Sequence, residues 1–82
     1  MKQSSIYNEI REERKNQDNK WGGANNDDYH TEETWVVFLV KHLGKAMIFA
    51  NKWDLIIFRK QMIRVAALAV AAIEWCDRKN IK

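Results

Sequence analysis

The hydrophobic and polar positions of the chain divide into three helical patterns separated by two breaks. Ile6, Tyr7 and Ile10 recur three or four residues apart among charged neighbours, which predicts a weakly amphipathic helix from about Ser5 to Gln17 with Ser4 or Ser5 as its cap. From Asp18 to His30 the periodicity collapses into Gly22-Gly23-Ala24-Asn25-Asn26-Asp27-Asp28, a loop composition that Trp21 opens. Thr31 can cap a second helix, with Glu32 and Glu33 at the positive end of its dipole. Trp35, Phe38, Leu39, His42, Leu43, Ala46, Met47 and Ala50 then repeat at helical spacing. A break at Asn51-Lys52-Trp53 follows, where Asn51 is available as the next cap. A third helix is expected from about Asp54 to Arg78. Its stripe reads Leu55, Phe58, Met62, Val65, Ala66, Ala69, Ile73 and Cys76, and its Val65–Ala72 centre has almost no polar face, so burial on every side is expected there.

The pattern gives an all-α fold, a small bundle of three main helices forming a single domain over residues 1–82. A domain of this size buries only about 60% of its unfolded surface. One cysteine forbids an internal disulfide, and His30 and His42 lie far in sequence from Cys76, so no structural zinc site is suggested. With 46% hydrophobic residues and four tryptophans, the expected support is self-association into a homodimer or larger assembly. Trp35, Trp53 and Trp75 read as core or interface anchors, and Cys76 as a small core residue.

The net charge of +3 is mild and the charges are mixed, so no polybasic arm for a nucleic-acid polymer or a lipid surface is expected. Met1–Ser5 is not followed by an apolar run as in a signal peptide, and Val65–Ile73 is too short to span a bilayer. A cytoplasmic chain without a membrane partner is the expectation.

Three landmarks in order carry a family likeness: Glu13-Arg14-x-x-Gln17-x-x-Lys20-Trp21-Gly22-Gly23, then Trp35-x-x-Phe38-Leu39-x-x-His42-Leu43-Gly44-Lys45-Ala46, then Phe58-Arg59-x-Gln61-Met62-Ile63-Arg64-Val65-Ala66-Ala67. In this the chain resembles the short, phage-associated MazG-like nucleoside triphosphate pyrophosphohydrolases, over most of its length from Glu9 to about Trp75. The resemblance implies an all-α, oligomeric protein. It also implies carboxylates, in an E-E-x-x-E motif on one helix and an E-x-x-D motif on the next, that converge on magnesium ions. Here the first motif falls on Lys41-His42-Leu43-Gly44-Lys45 and the second on Gln61-Met62-Ile63-Arg64, with none of those carboxylates present.

Lys41, Lys45 and Arg64 therefore place fixed cations where the resemblance puts metal ions. Cations in a pocket shaped for a nucleotide can bind phosphates directly, yet they offer no means of activating water. Arg14 and Lys20 can also reach phosphate, Trp21 can stack on a base, and Gln17, Gln61 and His42 can hydrogen-bond to base or sugar. The expectation is a catalytically silent binder of a nucleotide or cyclic nucleotide, without cofactor or metal. One version is a phage sponge that sequesters a nucleotide defence signal in the host cytoplasm. Two alternatives stand beside it. One is an active magnesium-dependent pyrophosphohydrolase using Glu9, Glu12, Glu13, Glu74 or Asp77, residues that otherwise read as solvated helix faces paired with Arg14 or Arg78. The other is a structural helical module that binds a protein through its apolar face, with Lys41, Lys45 and Arg64 as ordinary surface charges.

Overall fold

A computed structural model describes residues 2–21 and 30–80, with the backbone alone for Trp21 and Asn80. Among the described residues the chain forms three helices, α1 (Gln3–Trp21), α2 (Glu32–Asn51) and α3 (Leu55–Asn80). No helix among them is long and apolar enough to cross a membrane.

Each helix boundary has a local cause. The start of α1 is earlier than the serines suggest, because the Lys2 carbonyl accepts from Ser5 and Ile6 N–H at 3.0 and 3.3 Å, which places both serines inside the helix. Its end is later: residues 18–21 continue the helix instead of opening the loop. The rest of the expected loop, from Gly22 to Tyr29, lies outside the described residues. At α2, Thr31 is the cap. Its hydroxyl accepts from Thr34 N–H at 3.3 Å, Thr34 Oγ1 accepts in return from Thr31 N–H, and Glu32 and Glu33 occupy the first turn.

The α2–α3 turn is tight. Trp53 N–H donates to the Ala50 carbonyl at 3.2 Å and Asp54 N–H to the Phe49 carbonyl at 3.1 Å, the bond pair of a Schellman ending. That ending requires a left-handed residue at its apex, which is usually glycine. Here it is Trp53, at φ 58° and 86% exposed. The cap of α3 is Asp54 rather than Asn51, because Asp54 Oδ1 accepts from Ile57 N–H at 3.1 Å and Asn51 is the last residue of α2.

Both α1 and α2 pack on α3 rather than mainly on each other. The α2–α3 core lies at the end away from the turn, where Trp35, Leu68, Ala71 and Trp75 are buried and Phe38, Leu39 and Ala72 pack against them. Trp35 meets Trp75 at 6.4 Å and Phe38 edge-on at 6.3 Å between ring centroids.

The buried stripe of α3 is Gln61, Ala67, Leu68, Ala71 and Trp75, which is rotated from the expected one. Leu55, Ile73 and Cys76 are exposed, so Cys76 is not a core residue, and within the apolar centre Val70 is exposed, so that segment is not covered on every side within one chain. Trp35 and Trp75 are core anchors; Trp53 is not.

Polar staples attach α1 to α3. Arg14 donates to Glu74 Oε1 at 2.7 and 3.0 Å while also pairing with Asp18 at 3.0 Å, and Arg59 pairs with Glu9 through both carboxylate oxygens, one bond at 2.8 Å. Gln17 is buried and donates Nε2–H to the Arg64 carbonyl at 3.3 Å.

Leu68→Ala is expected to lower unfolding stability by about 2–5 kcal/mol, because so small a core cannot collapse around the cavity. Trp53→Gly is expected to leave stability unchanged or raise it by up to about 1 kcal/mol, since relief of the left-handed strain exceeds the entropy cost of glycine. Urea unfolding of the two variants checks both.

Candidate functional site

Because α1 and α2 lean on different sides of α3, a cleft of about 580 Å³ opens where the three helices meet. On the α1 wall, Glu13, Asn16 or Gln17, and Lys20 recur at helical spacing, with Asn19 beside them. The α2 wall carries Lys41, His42 and Lys45, and Arg64 rises from α3. The lining therefore holds four cations, Lys20, Lys41, Lys45 and Arg64, against one carboxylate, Glu13.

Helical periodicity explains the convergence on α2. Residues 41 and 45 are one turn apart and share a face, and His42 sits between that face and the buried one that carries Trp35 and Ala46. Two like charges at this spacing repel by about 0.2–0.5 kcal/mol, a cost that a bound anion reverses.

His42 shows how close the cations are. Its pKa is lowered from the ordinary 6.5, first by burial and then by Lys45, with Lys41 and Arg64 adding repulsion; the neighbouring Gln61 side chain, a potential acceptor for the protonated ring, opposes them without prevailing. The Gln61 contact stays open: among the described residues His42 Nδ1 and Gln61 Oε1 have no closed hydrogen-bond partner, and neither has Gln17 Oε1. Gln17 and Gln61, the buried polar residues among those described, thus underlie the cationic rim with acceptor capacity unmet.

The other residues singled out from the sequence fall as follows. Lys41, His42, Lys45, Arg64, Gln17 and Lys20 line the cleft together. Gln61 is buried next to His42 and does not line it. Arg14 is turned toward Glu74 and Asp18 and does not line it either. The side chain of Trp21 lies outside the described residues. Glu13, Asn16 and Asn19 line the cleft without having been singled out for it, although the spacing from Glu13 to Lys20 is the signal that finds them.

The donor set does not suit magnesium, which takes oxygen ligands, largely carboxylates and water. Among the described residues no group of three or more His, Cys, Asp or Glu side chains is placed to hold a metal ion. Of the acids of the alternative reading, Glu9 pairs with Arg59, Glu12 with Lys15 and Glu74 with Arg14, while Glu13 lines the cleft. What the cleft can do is hold an anion through charge-assisted hydrogen bonds from two or three helices at once.

The lowered pKa of His42 fixes the sign of a pH effect. The unfolded chain binds a proton on this residue more readily than the folded one, so its opposition to folding is absent well above pH 6.5. It grows as pH falls from 6.5 toward the folded value. A proton NMR titration should give His42 a midpoint below 6.5, and Lys45→Ala should move that midpoint upward by removing the largest cationic repulsion on the ring. An unshifted midpoint in both proteins would contradict the proximity described above.

No family model, curated protein or solved structure matches the chain.

Proposed function

We propose that this chain is a nucleotide-binding protein without turnover, built on the MazG-like plan, that holds phosphate groups between Lys41, Lys45 and Arg64 with Lys20 at the rim. The observation that carries the reading is the meeting of these cations in one cleft around a histidine whose proton they repel. Fixed like charges gathered in a recess are stabilised by an anion, and a nucleotide phosphate offers several oxygens to helices that approach from different sides. The volume of about 580 Å³ falls in the range of small-molecule sites, roughly 300–1,000 Å³. With Glu13 as its one lining carboxylate among the described residues, the cleft lacks the cluster of acids that gathers metal ions in the E-E-x-x-E and E-x-x-D motifs. Holding rather than cutting is the chemistry that its residues support.

In its most specific form the protein is a phage-type sponge that withdraws a linear or cyclic nucleotide defence signal, acting as a homo-oligomer. A second reading, a helical module that docks on another protein, is favoured by one observation, the exposed apolar side of α2. The two differ in what Lys41 and Arg64 do.

Isothermal titration against linear and cyclic nucleotides without magnesium is expected to give at least one ligand with a dissociation constant in the micromolar range or tighter, weakening with salt. Lys41→Glu and Arg64→Glu should each weaken it tenfold or more, about 1.4 kcal/mol. Absence of binding throughout the panel overturns the reading. Magnesium-dependent pyrophosphate release would make the protein an enzyme instead.

A further inference from the structure

We infer that the groove between α1 and α3 beyond Arg64 receives the base of the nucleotide whose phosphates lie in the cationic cleft. Glu13, which lines both recesses, then selects a base with N–H donors on its pairing edge, guanine first. The inference rests on the nucleotide reading and deepens it, because it states which end of the ligand lies where and which base is preferred.

A second recess, of about 470 Å³, opens beside the cleft between α1 and α3. Glu13, Asn16 and Arg64 line both recesses. Helical spacing accounts for the continuity. Glu9, Glu13, Asn16 and Lys20 recur every three or four residues on α1 and form one row along its side. Glu9 borders the groove alone, Glu13 and Asn16 border both recesses, and Lys20 borders the cleft alone. On α3, Lys60 and Arg64 stand one turn apart with Ile63 beside them. The two recesses thus make one trough along α1, with Arg64 at its waist.

Charge changes along this trough. The cleft holds Lys20, Lys41, Lys45 and Arg64 against Glu13. Among the described residues the groove balances Arg59, Lys60 and Arg64 against Glu9, Glu12 and Glu13. A compact polyanion such as pyrophosphate suits the first recess and gains nothing from the second. A nucleotide has an anionic end and a flat, neutral, polar end, and the trough offers a place to each. The groove also has the means to hold a flat ring. Ile63 supplies an apolar contact. Arg59 is gripped by both oxygens of Glu9, which fixes the orientation of its planar guanidinium, a surface on which a base can stack.

Glu13 decides which base is favoured. Glu9 and Glu12 already pair with Arg59 and Lys15. Among the described residues no cation pairs with the half-buried Glu13, and the hydrogen bond it accepts comes from Asn16 Nδ2 at 3.4 Å, a long contact that leaves most of its acceptor capacity open. Guanine presents a ring N–H and an amine N–H side by side, a donor pair that matches two carboxylate oxygens as a guanidinium does. Adenine and cytosine each place one amine beside a ring acceptor. Uracil sets its N–H between two carbonyl oxygens, which a carboxylate repels.

Isothermal titration without magnesium tests the inference with guanosine against uridine 5′-diphosphate, cyclic di-GMP against cyclic di-UMP, and pyrophosphate. Within whichever pair binds, the guanine member is expected to be at least about tenfold tighter than the uracil member, and tighter than pyrophosphate. Glu13→Gln gives a decisive sign. If Glu13 only offsets the nearby cations, loss of its charge tightens every phosphate ligand alike. If it reads the base, the variant binds the guanine ligand about tenfold more weakly while pyrophosphate binds as before or more tightly. Helical circular dichroism checks that the variant folds, and the comparison of bases on the wild-type protein stands without it. Equal affinity for guanine and uracil members, pyrophosphate as tight as the guanine ligands, or unchanged or tighter guanine binding by folded Glu13→Gln overturns the inference. Silence of both guanine probes overturns it too, and reaches the nucleotide reading only when the wider panel is silent as well.

Discussion

Everything in this fold rests on the packing of two shorter helices against different sides of one long one. The small side chains Ala67 and Ala71 let α3 be approached closely, and Leu68 and Trp75 fill the space that remains. α2 is held by an aromatic core and α1 largely by ion pairs and a buried glutamine. Two unlike attachments to a shared support leave α1 and α2 apart over the middle of α3, and the cleft is that separation. Its charge follows from which residues occupy the facing turns.

How much of this could be read from the sequence depended on whether the cause was local. The start of α2 was legible because Thr31 and the two glutamates act within one turn. The phase of α3 was not. A run such as Val65–Ala72 is apolar in every direction and gives no preferred side, so the apolar stripe drawn through Leu55 and Ile73 missed a buried face that includes a polar residue, Gln61. The length of α1 was missed for the opposite reason. Beyond Gln17 its pattern is polar, and the bonds that hold this region, Arg14 to Glu74 and Gln17 to the Arg64 carbonyl, join residues far apart in sequence.

The site divides along the same line. The positions of Lys41, Lys45 and Arg64 came from motif alignment and helical spacing, and these residues share a cleft. The roles of Arg14 and Gln61 depend on partners in another helix. Arg14 serves as a staple to α3, and Gln61 lies under the histidine rather than in the lining. A side chain long enough to reach a ligand is also long enough to reach a neighbouring helix, and spacing along one helix does not decide between them.

The way α1 is attached also bears on how the molecule opens. A helix fixed by ion pairs whose carboxylates are half-exposed and by one buried amide contact detaches at lower free energy than one anchored in a tryptophan core, so the first excursion from the native state should be release of α1. Lys20 would leave with it, and the recess would become an open ledge on the remaining hairpin. Any anion spanning both walls would then act as a fastener for the least secure part of the bundle, and its affinity would register as slower amide exchange along α1 before it altered anything at the tryptophans.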